Sequence, residues 1–321
     1  MGKIKLYKFV IILSCLLISS LFLGNFVNAA PQKIVIQTPP VPAALPLLRM
    51  ESLGELDNFI DLDVKVSSDH QRAISLISKN EIDFMITGAN VGAKIYNKGI
   101  DVKLVNVNTW AIDYLLTNGF KAEQWSDLEG KTLSLPLKGG PLDFLARYLL
   151  KANQVDPEEV KLIYRPLPNG AKYFMIGEVD SIILPEPLVS KTLTQNSNSY
   201  LSFDIQKEWA KLNQGDERVP FVGLFVGENF MKKYPGLTDI IAGKFIEGVN
   251  YYNNNPKEAV SDASKYFNIP KPIMEQAWNR VNLNIYPESE SKELINNYFN
   301  HILDIYPEMI GGNLPDEEFY Y

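Results

Sequence analysis

The chain has 321 residues, 46% of them hydrophobic and 21% charged, an ordinary globular composition that excludes a disordered, collagen-like or coiled-coil protein. One Cys and two His exclude a disulfide scaffold, zinc fingers and any multi-thiol metal site. A net charge of −7 argues against a nucleic-acid-binding face, which needs clustered basic residues.

In chain order the first element is an export signal. Lys3, Lys5 and Lys8 precede an apolar run over 9–23, and Val27-Asn28-Ala29 supplies the small residues of a cleavage site, which predicts a signal peptide over 1–29. The run is shorter than the ~20 residues a bilayer-crossing helix needs. Ile12-Leu13-Ser14-Cys15 is loosely like a lipobox, but Cys15 falls inside the apolar run, so a lipid-anchored form is the lesser reading. Removing three lysines and no acid takes the net charge from −7 to −10 and leaves no Cys. A thiol-free acidic protein suits an oxidising extracytoplasmic space.

The remainder reads as an internal duplication about a hundred residues apart. A β-rich run over 33–38 leads through Pro39-Pro40-Val41-Pro42 into a helical pattern with Leu45, Leu47, Leu48 and Leu53 on one face,. Thr132-Leu133-Ser134-Leu135 leads likewise through Lys138-Gly139-Gly140-Pro141 into Leu142, Leu145, Leu149 and Leu150. A second strand follows in each copy (63–66 and 160–163), then a helix (71–79 and 169–176). Both copies end in one phrase, Glu81-Ile82-Asp83-Phe84-Met85 and Glu178-Val179-Asp180-Ser181-Ile182. Alternating strands and helices predict parallel α/β sheets covered on both faces. The fold class expected is α/β, two lobes joined by a two-strand hinge with the ligand cleft between them, the alternative being one long domain whose single sheet contains the repeat. Residues 110–117 and 219–226 are the crossing strands, 102–106 is a further strand, and helices follow near 235–254, 256–267, 272–279 and 289–305.

Ligands of open α/β sheets bind beyond the carboxyl ends of the strands, so four loops should face the cleft. Thr38, Pro39, Pro40 and Val41 offer a hydroxyl and an apolar rim, or only a rigid turn. Gly88, Ala89 and Asn90 form the second loop, where Asn90 reads first as an N-cap. Lys138, Gly139, Gly140 and Pro141 allow close approach to a helix N-terminus, or make a plain strand-to-helix turn. Glu186, held between two prolines, would accept N–H bonds from a ligand, or is only an exposed acid in a turn. Trp110 either stacks on a flat ligand or fills the hinge.

Catalytic signatures are missing. The sequence has no G-x-S-x-G, H-E-x-x-H or Walker-type motif,, and neither His70 nor His301 has an evident partner. No cofactor and no metal are expected, and the balance favours binding over an enzyme.

The order of these phrases resembles the type II periplasmic solute-binding proteins of ABC transporters, within them the nitrate/sulfonate/taurine and thiamine-precursor group. The resemblance rests on the 33–38 strand, Asn80-Glu81-Ile82-Asp83-Phe84 with Gly88-Ala89-Asn90, and Asp127-Leu128-Glu129-Gly130-Lys131-Thr132-Leu133. Gly177-Glu178-Val179-Asp180 with Pro185-Glu186-Pro187 completes it, and it spans 33–321. It implies a monomer that captures a small molecule by lobe closure and delivers it to a permease with its ATPase. Lobe I would comprise 32–113 and 221–321, and lobe II 114–220. The resemblance also brings an alternative, an enzyme on the same fold such as a pyrimidine-precursor synthase or a menaquinone-pathway lyase; the synthase's cysteine-rich motif is absent. Alkanesulfonate-type members carry Ser or Thr after the second glycine turn, where this chain has Pro141-Leu142-Asp143. An acid at 143, with no Arg in the four loops, weakens a sulfonate or nitrate ligand, and Glu186 with Trp110 would rather suit an amine-bearing or heterocyclic one.

Overall fold

The computed structural model describes residues 32–54, 56 and 60–321; the expected signal peptide lies outside the described residues. The first copy of the repeat folds as β1 (Gln32–Thr38), α1 (Ala44–Leu53), β2 (Ile60–Val66), α2 (His70–Ser78) and β3 (Phe84–Gly88). After α3 (Ala89–Asn97) and β4 (Val102–Ala111) the chain enters the second half on β5 (Asp113–Asn118). There the pattern repeats as β6 (Thr132–Leu135), α4 (Pro141–Ala152), β7 (Lys161–Tyr164), α5 (Leu167–Met175) and β8 (Ser181–Pro185). It continues with α6 (Leu188–Gln195), β9 (Ser199–Asp204) and α7 (Ile205–Leu212), and returns on β10 (Val222–Gly227). The last part holds α8 (Glu228–Lys233), α9 (Leu237–Asn254), α10 (Pro256–Phe267), α11 (Lys271–Trp278), β11 (Asn282–Leu283) and α12 (Glu288–Ile305).

Two sheets result, ordered β11-β4-β10-β3-β1-β2 and β7-β6-β8-β5-β9. This is the expected α/β architecture, and the repeat is visible in it. Within each sheet the three repeat strands run parallel in matching order, β2-β1-β3 and β7-β6-β8. The shared Glu-x-Asp phrase has the same task in both. Asp83 Oδ2 accepts the Val35 N–H at 2.9 Å, and Asp180 Oδ2 accepts the Thr132 N–H at 2.8 Å, so each carboxylate ties the start of a third strand to the first.

The expectation of wholly parallel sheets is corrected. β10 lies antiparallel between β3 and β4, and β5 lies antiparallel between β8 and β9. A parallel neighbour needs a helical crossover, whereas a strand arriving directly from the other sheet carries no such constraint. The segment 110–117 is likewise two strands that part at Ile112, and β4 extends the expected 102–106 strand to Ala111.

α4 shows how the core is built. Leu142, Phe144, Leu145, Ala146, Leu149 and Leu150 are buried along it, and each large apolar side chain contributes roughly 1.5–3 kcal/mol by leaving water. They share one core cluster with Ile295, Tyr298, Phe299 and Ile302 of α12, which belongs to 221–321. Tyr298 packs edge-on to Phe144 and Trp209, and His301 sits against Tyr148 and Trp209. Thus α12 packs on helices α4 and α7 of the second half.

Candidate functional site

A cavity of about 90 Å³ lies where the carboxyl ends of the repeat strands of the two sheets meet. The first half supplies Pro39, Val41, His70, Thr87, Gly88 and Val91. The second supplies Pro136, Leu137, Gly140, Pro141, Leu142 and Pro185, with Leu167 behind them. Its floor is the crossing itself: Thr109, Ile112 and Asp113 on the way out, Phe221 and Val222 on the way back. The wall is mostly apolar and contains no Lys or Arg.

The two halves touch across this cavity. A Cβ on Gly88 would stand 2.5 Å from Pro141 Cγ, so only glycine lets these loops meet. Asn90 Nδ2 donates to the Gly139 carbonyl at 3.0 Å. The N-cap reading of Asn90 is therefore corrected: α3 starts at Ala89 with Gly88 as its cap, and the Asn90 amide spans the cleft instead. Ala89 donates its N–H to the Phe221 carbonyl at 3.0 Å, fixing that loop to the returning strand.

Of the residues singled out in the sequence, Pro39, Val41, Gly88, Gly140 and Pro141 line the cavity. α4 opens on Pro141, and Gly139 takes φ +76°, a left-handed conformation suited to glycine,. Lys138 and Gly139 border a neighbouring depression with Lys94 and Arg147, and Pro40 is exposed. Thr38 is buried and its hydroxyl donates to the Pro39 carbonyl. Trp110 is buried, its indole N–H on the Asn284 carbonyl at 2.9 Å and its ring edge-on to Tyr286.

Four carboxylates are buried among the described residues: Asp113, Asp143, Glu186 and Glu208. Three are partnered by a basic side chain. Asp143, expected to bring negative charge to the cleft, instead accepts the Gly139 N–H at 2.7 Å, Arg147 Nε at 2.9 Å and the Tyr164 hydroxyl at 2.9 Å. Glu186 accepts the Ser190 N–H and hydroxyl at 3.0 and 2.9 Å, and Arg280 Nη1 at 3.0 Å. It thereby links the second half to the end of α11. Glu208 accepts the Trp125 indole N–H and Lys211.

Asp113 differs. Its backbone N–H is taken by Gln206 Oε1 at 2.9 Å, but its carboxyl accepts no hydrogen bond from any described residue. Burial alone pushes this carboxyl well above the usual carboxylate range,. Burial, reinforced by the charge of Asp113, also raises the Tyr298 hydroxyl, which has no hydrogen-bond partner either.

A family model described as NMT1/THI5 like matches residues 57–259. The chain belongs to this family. A comparison with curated proteins by sequence finds no match, whereas many solved structures share the fold of this NMT1/THI5-like chain. An ABC transporter from Parabacteroides distasonis is 21% identical with a TM-score of 0.71, over 90% of this chain and 99% of that one. The alkanesulfonate-binding protein SsuA from Xanthomonas axonopodis pv. citri, bound to MOPS, is 14% identical with a TM-score of 0.73, over 90% and 96%. The periplasmic nitrate-binding protein NrtA from Synechocystis is 12% identical with a TM-score of 0.69, over 87% and 84%. The resemblance read from the sequence is thus borne out in family and fold.

Among the cavity residues that sequence reasoning missed in this NMT1/THI5-like chain, such as His70, Thr109 and Phe221, the acid is Asp113. Its signal was present but faint: one acid inside the apolar run Trp110-Ala111-Ile112-Asp113-Tyr114-Leu115-Leu116, where a charge is costly unless something uses it.

Proposed function

We propose that the chain is the extracytoplasmic solute-binding component of an ABC importer, taking a small molecule between two lobes and passing it unchanged to a permease. The observation that carries this reading is the cavity at the carboxyl ends of the repeat strands, walled by both halves and floored by the segments that join them. Supporting it are the leader-like 1–29 segment and the ABC-type binding proteins among the structural neighbours. Among the described residues no helix is long and apolar enough to cross a membrane. Lobe I is 32–113 with 221–321 and lobe II is 114–220, with α12 of the former resting on the latter.

The mechanism is population shift. Segments near Ile112 and Phe221 act as the hinge, because few dihedral angles need change there to swing one half. A ligand held by Gly88 and Val41 on one side and Gly140 and Pro141 on the other contacts both walls only when they meet. Moving the equilibrium from 1:99 to 99:1 takes about 5.5 kcal/mol of preference for the closed form. A few hydrogen bonds of ~1 kcal/mol each, with apolar burial, supply it.

The test is small-angle scattering and thermal shift of the purified protein across a solute library, with the solute recovered by mass spectrometry. The expected result is a smaller radius of gyration and a higher melting temperature with unaltered solute. A solute that is chemically converted, or the absence of compaction with every solute that binds, would overturn the reading.

A further inference from the structure

Asp113 occupies a position where the fold gives it nothing to do. It stands just past Ile112, where the chain passes from the first sheet to the second, and it borders the cavity with only 3% of its surface exposed. Alternation along β5 sends Tyr114 and Leu116 into the cluster beneath α5 and α6, and Leu115 into the cluster shared with α4, α7 and α12, so Asp113 lies on the same face as Leu115. There it meets no cation among the described residues. The cavity wall has no Lys or Arg, and its other titratable side chain is His70, which burial holds towards the neutral form. The remaining buried carboxylates each have a basic partner. A buried carboxyl without hydrogen bonds calls for an explanation, and a partner brought from outside is the simplest.

We propose that Asp113 is the charged anchor of the bound solute, and that the cleft selects a compact, largely apolar cation, a protonated amine or amidine, over sulfonates and nitrate. A cation completes the ion pair that the fold omits and accepts no competition from a resident Lys or Arg. An anion in the same place would find no Lys or Arg in the wall to offset its charge, and an uncompensated charge is costly in a low-dielectric site. The cavity volume, about 90 Å³, limits the size of the guest, and the prolines and Val41, Leu142 and Phe221 suit its apolar part. The proposal rests on reading the cavity as the solute site.

Isothermal titration of the purified full-length protein with cyclopentylamine, benzylamine and acetamidine, and in parallel with methanesulfonate and nitrate, tests it together with Asp113→Asn and Asp113→Leu. At least one cation should bind, neither anion should bind more tightly, and both variants should lose cation affinity by on the order of ten- to a hundredfold. Without ligand both variants should melt no lower than the parent, since they remove a carboxyl that stabilises nothing. Cation binding unchanged by either variant, no binding by any of the three cations, or a lowered melting point in both variants would overturn the proposal. Tighter binding of methanesulfonate or nitrate, with compaction in scattering, would also overturn it while leaving solute capture intact. Chemical conversion of a bound solute would remove the underlying reading instead.

Discussion

Glu186 and Asp113 flank the same point of the chain, since the Glu186 N–H donates to the Ile112 carbonyl at 2.9 Å. Both are buried acids at the junction of the two sheets. Glu186 is the more deeply enclosed and has three donors, one of them a guanidinium from the other half. Asp113 has none. Burial by itself therefore does not separate a structural acid from one reserved for a guest; the count of partners does. Glu186 holds the halves together through Arg280, and Asp113 faces the space those halves enclose.

That contrast is open to direct attack. The largest effect should come from Glu186→Ala, which strands the Ser190 N–H, its hydroxyl and Arg280; unfolding in urea should show a loss of about 3 kcal/mol. Arg280→Ala leaves Glu186 its two bonds from Ser190, so a smaller loss of about 1–2 kcal/mol is expected from the same measurement. Gly88→Ala touches neither acid but sets a methyl against Pro141 across the cleft. Solute affinity by calorimetry should fall by roughly tenfold, about 1.4 kcal/mol, with unfolding free energy changed less than that. Tyr114→Phe removes only the long 3.4 Å contact from its hydroxyl to the Arg280 carbonyl, and stability should change by no more than about 0.5 kcal/mol. A Glu186 variant as stable as the parent would erase the distinction between the two acids.

The fold was largely legible because its signals are local. The repeated Glu-x-Asp phrase marks the same strand junction twice, and Pro141 after paired glycines announces the start of α4. Strand direction was not legible, since nothing in the composition of β5 or β10 encodes which way its neighbours run. The site was half legible. Loops at strand ends follow from topology, so Val41, Gly88 and Gly140 were foreseeable as wall residues. The acids were not, because their roles depend on partners far away in sequence: Arg280 lies 94 positions from Glu186. Asp143 looked like a cleft residue by position, yet Arg147 one turn later and Tyr164 on β7 draw its carboxylate towards themselves.

The placement of α12 bears on how the molecule can move. The helix is seated on α4 and α7 by Tyr298 and His301, while the chain on either side of it returns to the first half. Before it, β11 pairs with β4. Beyond it, Asn97 binds the Ile310 and Asn313 carbonyls, and the Tyr321 N–H donates to the Leu104 carbonyl. The second half is therefore strapped to the first by a segment anchored at both its ends. If the halves open and close as proposed, this strap favours rotation over sliding, so the way the cleft shuts is set by a helix that contributes no residue to the cavity wall.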